Sequence, residues 1–295
     1  MRIVLLAALM MFGMACDDDA PSDTTDTAVD TTAVDTTVAD TTVADTAADT
    51  TVEDTTPADD TVVPGCSHTI EERTVTFVTS DGVTLEGDYT PAALPSAPAV
   101  VLLHMIPPSN TRANYPPAFR QMLADKGFHV LNVDRRGAGG SGGTARDAYT
   151  GSKGKLDAQA AMDFLAAAFC PPDPANVALV GASNGTTTVI DYTVDAASND
   201  AYPLPAALVL LTGGGYTENQ NAIDDNRGVL ETLPVRFVFS TAERLWSAAF
   251  DGDDAPEVWV FDEYPGGAHG TGMFNTKPES MGAVVDFIDG SLTAE

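Results

Sequence analysis

Basic side chains are scarce in this chain: 14 Lys and Arg stand against 43 Asp and Glu in 295 residues, a formal net charge of −29. A surface that acidic repels phosphate backbones, which excludes nucleic acid as a partner. Cysteine is also sparse, with three in all, and there are only four histidines. Long apolar stretches are missing too, since the run Ile3–Phe12 is too short to span a bilayer comfortably. What remains is a chain long enough for one or two domains, with its charge unevenly spread. Residues 17–64 hold 14 Asp and Glu and no Lys or Arg, which leaves 29 acidic and 13 basic side chains for residues 65–295.

The first sixteen residues, MRIVLLAALMMFGMAC, have the order of an export signal: one Arg, an apolar run, then small residues. The ending Gly13-Met14-Ala15-Cys16 resembles a bacterial lipobox, although Gly13 replaces the usual Leu. We therefore expect cleavage before Cys16, lipid on that residue, and a place in the cell envelope as an anchored, exported protein. Cys66 and Cys170 are then left as one pair. Export takes them where disulfides persist. A bridge between them closes a loop of about 100 residues, worth about 4–5 kcal/mol in the chain-entropy picture.

Residues 17–64 repeat the unit TTVAD, as in DTTVADTTVADT, and contain no aromatic residue. Such a segment buries too little apolar surface to offset its ordering entropy, so it reads as a disordered acidic linker. A flexible chain of that length has an end-to-end distance of about 40 Å, and like charges extend it further. It suits a tether that holds a domain off a membrane or cell surface. Its aspartates lack the glycine-containing ligand loop that calcium needs. The expected organisation is a signal peptide at 1–16, a linker at 17–64 and a folded domain at 65–295, large enough for one sizeable core.

After Pro64 the composition changes. RTVTFVTSDGVTLEGDYTP reads as two alternating strands around a turn at Ser80-Asp81-Gly82. Strands then alternate with helices. Strands are expected at 99–103, 129–133, 177–180, 207–211, 235–239 and 258–261, and helices at 115–126, 156–169, 185–197 and 281–288. Leu156, Ala160, Phe164 and Ala167 or Ala168 are expected to form the buried stripe of the second helix. A hairpin followed by β-α repeats implies a mostly parallel sheet with helices on both faces.

The chemistry concentrates in VALVGASNGTTTVIDY, residues 177–192. Here a buried strand leads into Gly181-Ala182-Ser183-Asn184-Gly185 and then a helix. A turn that sharp needs glycines at its flanks, and it lifts the Ser183 hydroxyl above the sheet edge. The helix that follows aims its positive end at the site. A serine needs a base. His68, His104 and His129 precede it, with His104 beside the site. His269 follows it, in the glycine-rich EYPGGAHGTGMF after the last strand. The acid should lie after the strand 235–239, in STAERLWSAAFDGDDAPE. Glu243 is the best-placed carboxylate there, with Asp251, Asp253, Asp254 and Asp262 as rivals. An oxyanion hole needs two backbone N–H groups. Asn184 supplies one, and the loop LLHMIPPSN supplies the other through Ile106, since Pro107 has none.

Gly137-Ala138-Gly139-Gly140-Ser141-Gly142 fits the dinucleotide pattern Gly-x-Gly-x-x-Gly, but the helix that would receive a pyrophosphate does not follow it. A tight turn in which Asp134 and the neighbouring arginines tie loops together is the better reading.

In order along the chain, LLHM, NVDRRGAGGSGG, GASNG and GGAHG resemble the α/β-hydrolase superfamily over residues 73–289. Within it the chain is similar to dienelactone-hydrolase-like and serine-aminopeptidase-like members. The resemblance implies an α/β-hydrolase fold with a mostly parallel eight-stranded sheet, helices on both faces and a Ser183–Glu243–His269 triad. Met105 sits where Gly is commoner, and the acid is Glu rather than Asp. Only about two dozen residues separate the sixth and seventh strands, which leaves no room for a large cap domain. Tyr216, Asn219 and Trp246 are candidates to line an open site. The expected activity is hydrolysis of a small-molecule ester or a related acyl bond, lactone or peptide, which needs no cofactor and no metal. The rival expectation is a non-catalytic surface-binding protein on the same scaffold.

Overall fold

In the computed structural model the described residues are 71–293, apart from Pro95, Phe169 and 214–222. The expected signal peptide and linker, with Cys16, Cys66 and His68, lie outside them, as do Tyr216 and Asn219. No helix among the described residues is long and apolar enough to cross a membrane.

The chain opens with the hairpin β1 (Arg73–Val78) and β2 (Thr84–Thr90). Alternation between exposed and buried positions marks both as half-covered strands. The strands that follow are β3 (Ala99–Leu103), β4 (His129–Asp134), β5 (Val177–Ala182), β6 (Ala207–Leu211), β7 (Val235–Ser240) and β8 (Trp259–Tyr264). In β3 to β6 every residue is buried. Continuous apolar runs such as AVVLL and ALVLL are what a sheet covered on both faces requires.

The sheet order is β1-β2-β4-β3-β5-β6-β7-β8. The pairs β1–β2 and β2–β4 are antiparallel and all others are parallel. This is the α/β-hydrolase fold. Side chains alternate between two cores. Val101, Leu103 and Leu179 face α2 (Lys155–Ala166) and α3 (Asn184–Ala197). Val100, Leu102 and Val180 face α1 (Pro117–Asp125), α6 (Gly272–Thr276) and α7 (Glu279–Thr293). Two short helices, α4 (Arg227–Leu230) and α5 (Arg244–Ser247), flank β7 in sequence. Among the described residues no large cap interrupts the β6–β7 connection.

Two expectations need correction. Helix α1 begins at Pro117 rather than Tyr115. Proline suits a first helical position, and the buried Tyr115 is used instead to donate its hydroxyl to the Leu103 and Val180 carbonyls, each at 3.2 Å. Helix α2 ends at Ala166, and its buried set is Asp157–Met162 with Leu165; of the expected stripe, Ala160 is buried and Phe164 packs on the core, while Leu156 is only half-buried and Ala167 is exposed. A buried ion pair adds a charged residue to that set: Asp157 reaches inward to Arg136, 2.7 Å from Nε, while Ala158 and Ala161 join the core shared with α3.

The run 137–142 is the expected tight turn. Gly137 N–H donates to Gly142 O at 2.8 Å, and a Cβ on Gly139 would lie 1.9 Å from Asp134 Oδ2. A 3-10 turn at Ala145–Ala148 follows, so no long helix points its N-terminus at this loop. Asp134 accepts from the Arg112 and Gly140 N–H groups at 2.7 and 3.0 Å.

Candidate active site

The C-terminal ends of β3, β5, β6, β7 and β8 meet at one edge of the sheet. Ser183 stands between β5 and α3 with φ +49° and ψ −121°. A non-glycine residue held there costs about 1–3 kcal/mol, which the surroundings must over-determine. They do so through backbone. The Ser183 N–H donates to Leu211 O at 2.8 Å. A Cβ on Gly181 would sit 2.5 Å from Gly185 O, and one on Gly185 would sit 2.4 Å from Leu103 O. Both glycines are therefore dictated by close approach of main chain to main chain.

His269 is delivered by the loop after β8. Its Nε2 lies 2.6 Å from Ser183 Oγ and its Nδ1 lies 2.6 Å from Glu243 Oε1. A carboxylate only accepts, so Nδ1 carries the ring proton, and Nε2 is left to accept from the serine hydroxyl. Glu243 follows β7 in a 3-10 turn that runs into α5. The four rival acids are placed elsewhere. Asp262 pairs with Arg236 and Asp254 with Arg227, while Asp251 and Asp253 are exposed.

Two hydroxyls escaped the sequence reading. Thr212 and Ser240 are each placed at the end of a strand, and both donate to Glu243 Oε2, at 3.4 and 3.2 Å. Thr212 also accepts from the Gly270 N–H at 2.9 Å, so one side chain ties the acid to the histidine loop. It does this at φ +54°, an outlier for a β-branched residue. The available signal was position, since each hydroxyl ends an apolar strand on the edge that carries Ser183.

Of the two expected donors, Ile106 lies in the loop after β3 and Asn184 directly follows Ser183. Asn184 is the first residue of α3, where helix geometry leaves N–H groups without an internal partner. The Ile106 N–H donates to no protein acceptor among the described residues. Met105, in place of the commoner Gly, packs its sulfur against Gly270 beside Ser183. The Trp246 ring meets the His269 ring edge-on at 6.1 Å and is half-exposed. A groove of about 370 Å³ opens beside His269, lined by Met105, Asn114, Pro116, Thr271 and Asn275.

The other described histidines are occupied structurally. His104 is fully buried, and burial, reinforced by the Arg135 charge, pulls its pKa down to about 3. His129 is buried against the Tyr89 hydroxyl at 2.7 Å. Cys170 is buried beyond α2, and its expected partner Cys66 lies outside the described residues.

The sequence profile of the X-Pro dipeptidyl-peptidase (S15) family matches residues 71–213, which include Ser183 but stop before Glu243 and His269. Among solved structures, the chain is similar to the Pyrococcus furiosus esterase Pf2001, with 17% identity, a TM-score of 0.58, and coverage of 76% of this chain and 92% of that one. It is also similar to the esterase RhEst1 from Rhodococcus sp. ECU1013, with 15% identity, a TM-score of 0.55, and coverage of 74% and 99%. The 2,6-dihydroxy-pseudo-oxynicotine hydrolase aligns at 13% identity and a TM-score of 0.57, covering 76% of this chain and 69% of its own. At such identities the likeness concerns the fold. No curated protein matches the chain in sequence.

Proposed function

We propose that this chain is a serine hydrolase that cleaves a carboxylic ester or a related acyl bond through an acyl-enzyme. The observation that carries the reading is the unbroken run of short contacts from Ser183 Oγ through His269 to Glu243. The S15 family match and the esterase neighbours support a hydrolase in general.

In this reading Ser183 Oγ attacks the substrate carbonyl carbon while His269 Nε2 takes its proton. Glu243 holds the ring in one tautomer and stabilises the imidazolium. The Asn184 and Ile106 N–H groups receive the oxyanion, where loss of one donor costs about 3 kcal/mol. Collapse breaks the bond to the leaving group, which departs with the proton from His269. Water, deprotonated by the same ring, then attacks the acyl-Ser183, and the acid and free serine are released.

A fluorophosphonate probe on the full chain tests the reading. Labelling at Ser183, together with turnover of short acyl esters, supports it. Equal labelling after Ser183→Ala, or no turnover across a broad ester panel, favours the rival binding protein. The S15 match makes peptide bonds a second substrate class, and Xaa-Pro anilides beside the esters separate the two.

We further propose export, lipidation at Cys16, a tethering linker over 17–64 and a Cys66–Cys170 bridge. Radiolabelled lipid that enters the wild type and Cys16→Ser equally would rule out the anchor. Thiol counting under denaturing, non-reducing conditions would rule out the bridge if both cysteines reacted.

A further inference from the structure

The turn after β4 buries two adjacent arginines whose charges are treated differently. Arg136 is paired with Asp157 and Asp81, with contacts of 2.7 and 2.9 Å. Arg135, equally inaccessible, makes no ion pair among the described residues. Its guanidinium is spent on neutral acceptors. The two N–H groups of Nη2 are shared among three acceptors, Ala148 O at 2.7 Å, Asn184 Oδ1 at 2.9 Å and Thr188 Oγ1 at 2.6 Å. Nη1 donates to His104 O at 3.2 Å and Met105 O at 3.4 Å, and Nε has no hydrogen-bond partner among the described residues. Burial lowers its pKa only to about 10, so the charge persists at neutral pH. The Asp157 charge acts on Arg135 only from a distance, and a buried cation with no carboxylate in contact is expensive, so a fold that retains one calls for an explanation.

Four of the five acceptors supply it, because His104, Met105, Asn184 and Thr188 lie on the two segments that carry the candidate oxyanion donors. Met105 O belongs to the same peptide as the Ile106 N–H. A trans peptide is planar with its C=O and N–H opposed, so to hold the carbonyl is to aim the N–H. Arg135 holds that carbonyl twice over. Its Nη1 reaches Met105 O directly. Its backbone N–H donates to His104 Nε2 at 2.9 Å, which leaves the neutral imidazole to donate from Nδ1 to Met105 O at 2.7 Å. On the opposite side Nη2 fixes the side chain of Asn184, whose own N–H is the second donor.

We propose that Arg135 is a positioning residue for the oxyanion hole: it sets the Met105–Ile106 peptide and Asn184, and places behind them a positive charge that no carboxylate of the described residues contacts directly. The proposal rests on the serine-hydrolase reading. It has a consequence that simple structural support lacks. Arg135 should matter more once negative charge develops on the substrate oxygen than before, so its loss should appear in kcat rather than KM.

The test is ester turnover by the full chain as wild type, Arg135→Gln and Arg135→Lys. The expected result for R135Q is a kcat lower by about 10²-fold with KM within about twofold. R135K, which keeps the charge but not the fork, should recover about tenfold of that loss. Affinity for a boronic acid that mimics the tetrahedral adduct should fall in step with kcat, while affinity for the product acid stays level. An unchanged kcat in R135Q overturns the proposal, as does a loss confined to KM. If R135Q does not fold, as judged by circular dichroism, R135K decides alone, and a wild-type kcat in it overturns the proposal. A wild type with neither ester turnover nor Ser183 labelling removes the hydrolase reading and this proposal with it. An active wild type with an indifferent Arg135 removes only the latter.

Discussion

The two halves of the site are held by different means. On the nucleophile's side, between β5 and α3, main chain does the holding: Gly181 against Gly185, Gly185 against Leu103, and the Ser183 N–H on Leu211 O. On the acid's side, side-chain hydroxyls do it, with Thr212 and Ser240 on Glu243 and Thr212 again on the histidine loop. Ser183 is nearly buried, at 7% exposure, whereas the His269 side chain is 39% exposed. Backbone packing gives one geometry and no adjustment. Hydroxyl hydrogen bonds can be lost singly and leave the rest standing. Damage to the first half should therefore be all-or-none, and damage to the second should be graded.

Ser183→Ala takes the first half to its limit. Turnover should fall by roughly 10⁴–10⁶-fold, with the thermal midpoint little changed because one oxygen is removed and no packing is disturbed. Single-turnover ester hydrolysis with scanning calorimetry checks both parts. A residual rate within tenfold of wild type would place the nucleophile elsewhere. Glu243→Gln opens the graded half. The amide keeps the shape but can present an N–H to His269 and so favour the wrong tautomer, for an expected loss of about 10³–10⁴-fold in kcat. Should E243Q stay active while Asp251→Asn or Asp262→Asn does not, the acid was misassigned.

The same contrast explains how far the sequence could be read. Strand β3 was legible to the residue because AVVLL is buried on both faces and has no competing period. Ser183 was legible because backbone crowding writes glycines into the chain. His269 followed from chain order and its flanking glycines. Glu243 was not separable from four aspartates by spacing alone, since what disqualifies Asp262 and Asp254 is their pairing with Arg236 and Arg227. The face of α2 was read only in part, for a related reason: Ala160 is buried and Phe164 packs on Phe77 and Tyr89 as expected, but Asp157 was not foreseen among the buried residues. An apolar stripe has a period, whereas burial of Asp157 depends on an arginine some twenty residues upstream. Thr212 and Ser240 left no pattern, because one hydroxyl at the end of a strand looks like any strand terminus. The sequence reports what backbone geometry forces, and it hides what side chains arrange among themselves.

Thr212 is the place to sharpen the comparison, because it carries strain and hydrogen bonds at once. Thr212→Val keeps the β-branch at φ +54° but removes both the donor to Glu243 and the acceptor for the Gly270 N–H. Leaving a buried N–H unsatisfied costs about 1–3 kcal/mol, so the thermal midpoint should drop by several degrees. With the acid still held by Ser240, turnover should fall only about tenfold. Thr212→Ser keeps the hydroxyl and should stay within about twofold of wild type in activity. Thr212→Gly separates the two contributions. Relief of the backbone strain, about 1–3 kcal/mol, should offset the lost hydrogen bonds, so stability recovers toward wild type while activity stays at the valine level. If glycine restored activity as well, the strain and not the hydroxyl would be what Thr212 contributes, and the acid's half of the site would be held by backbone after all, as the nucleophile's half is.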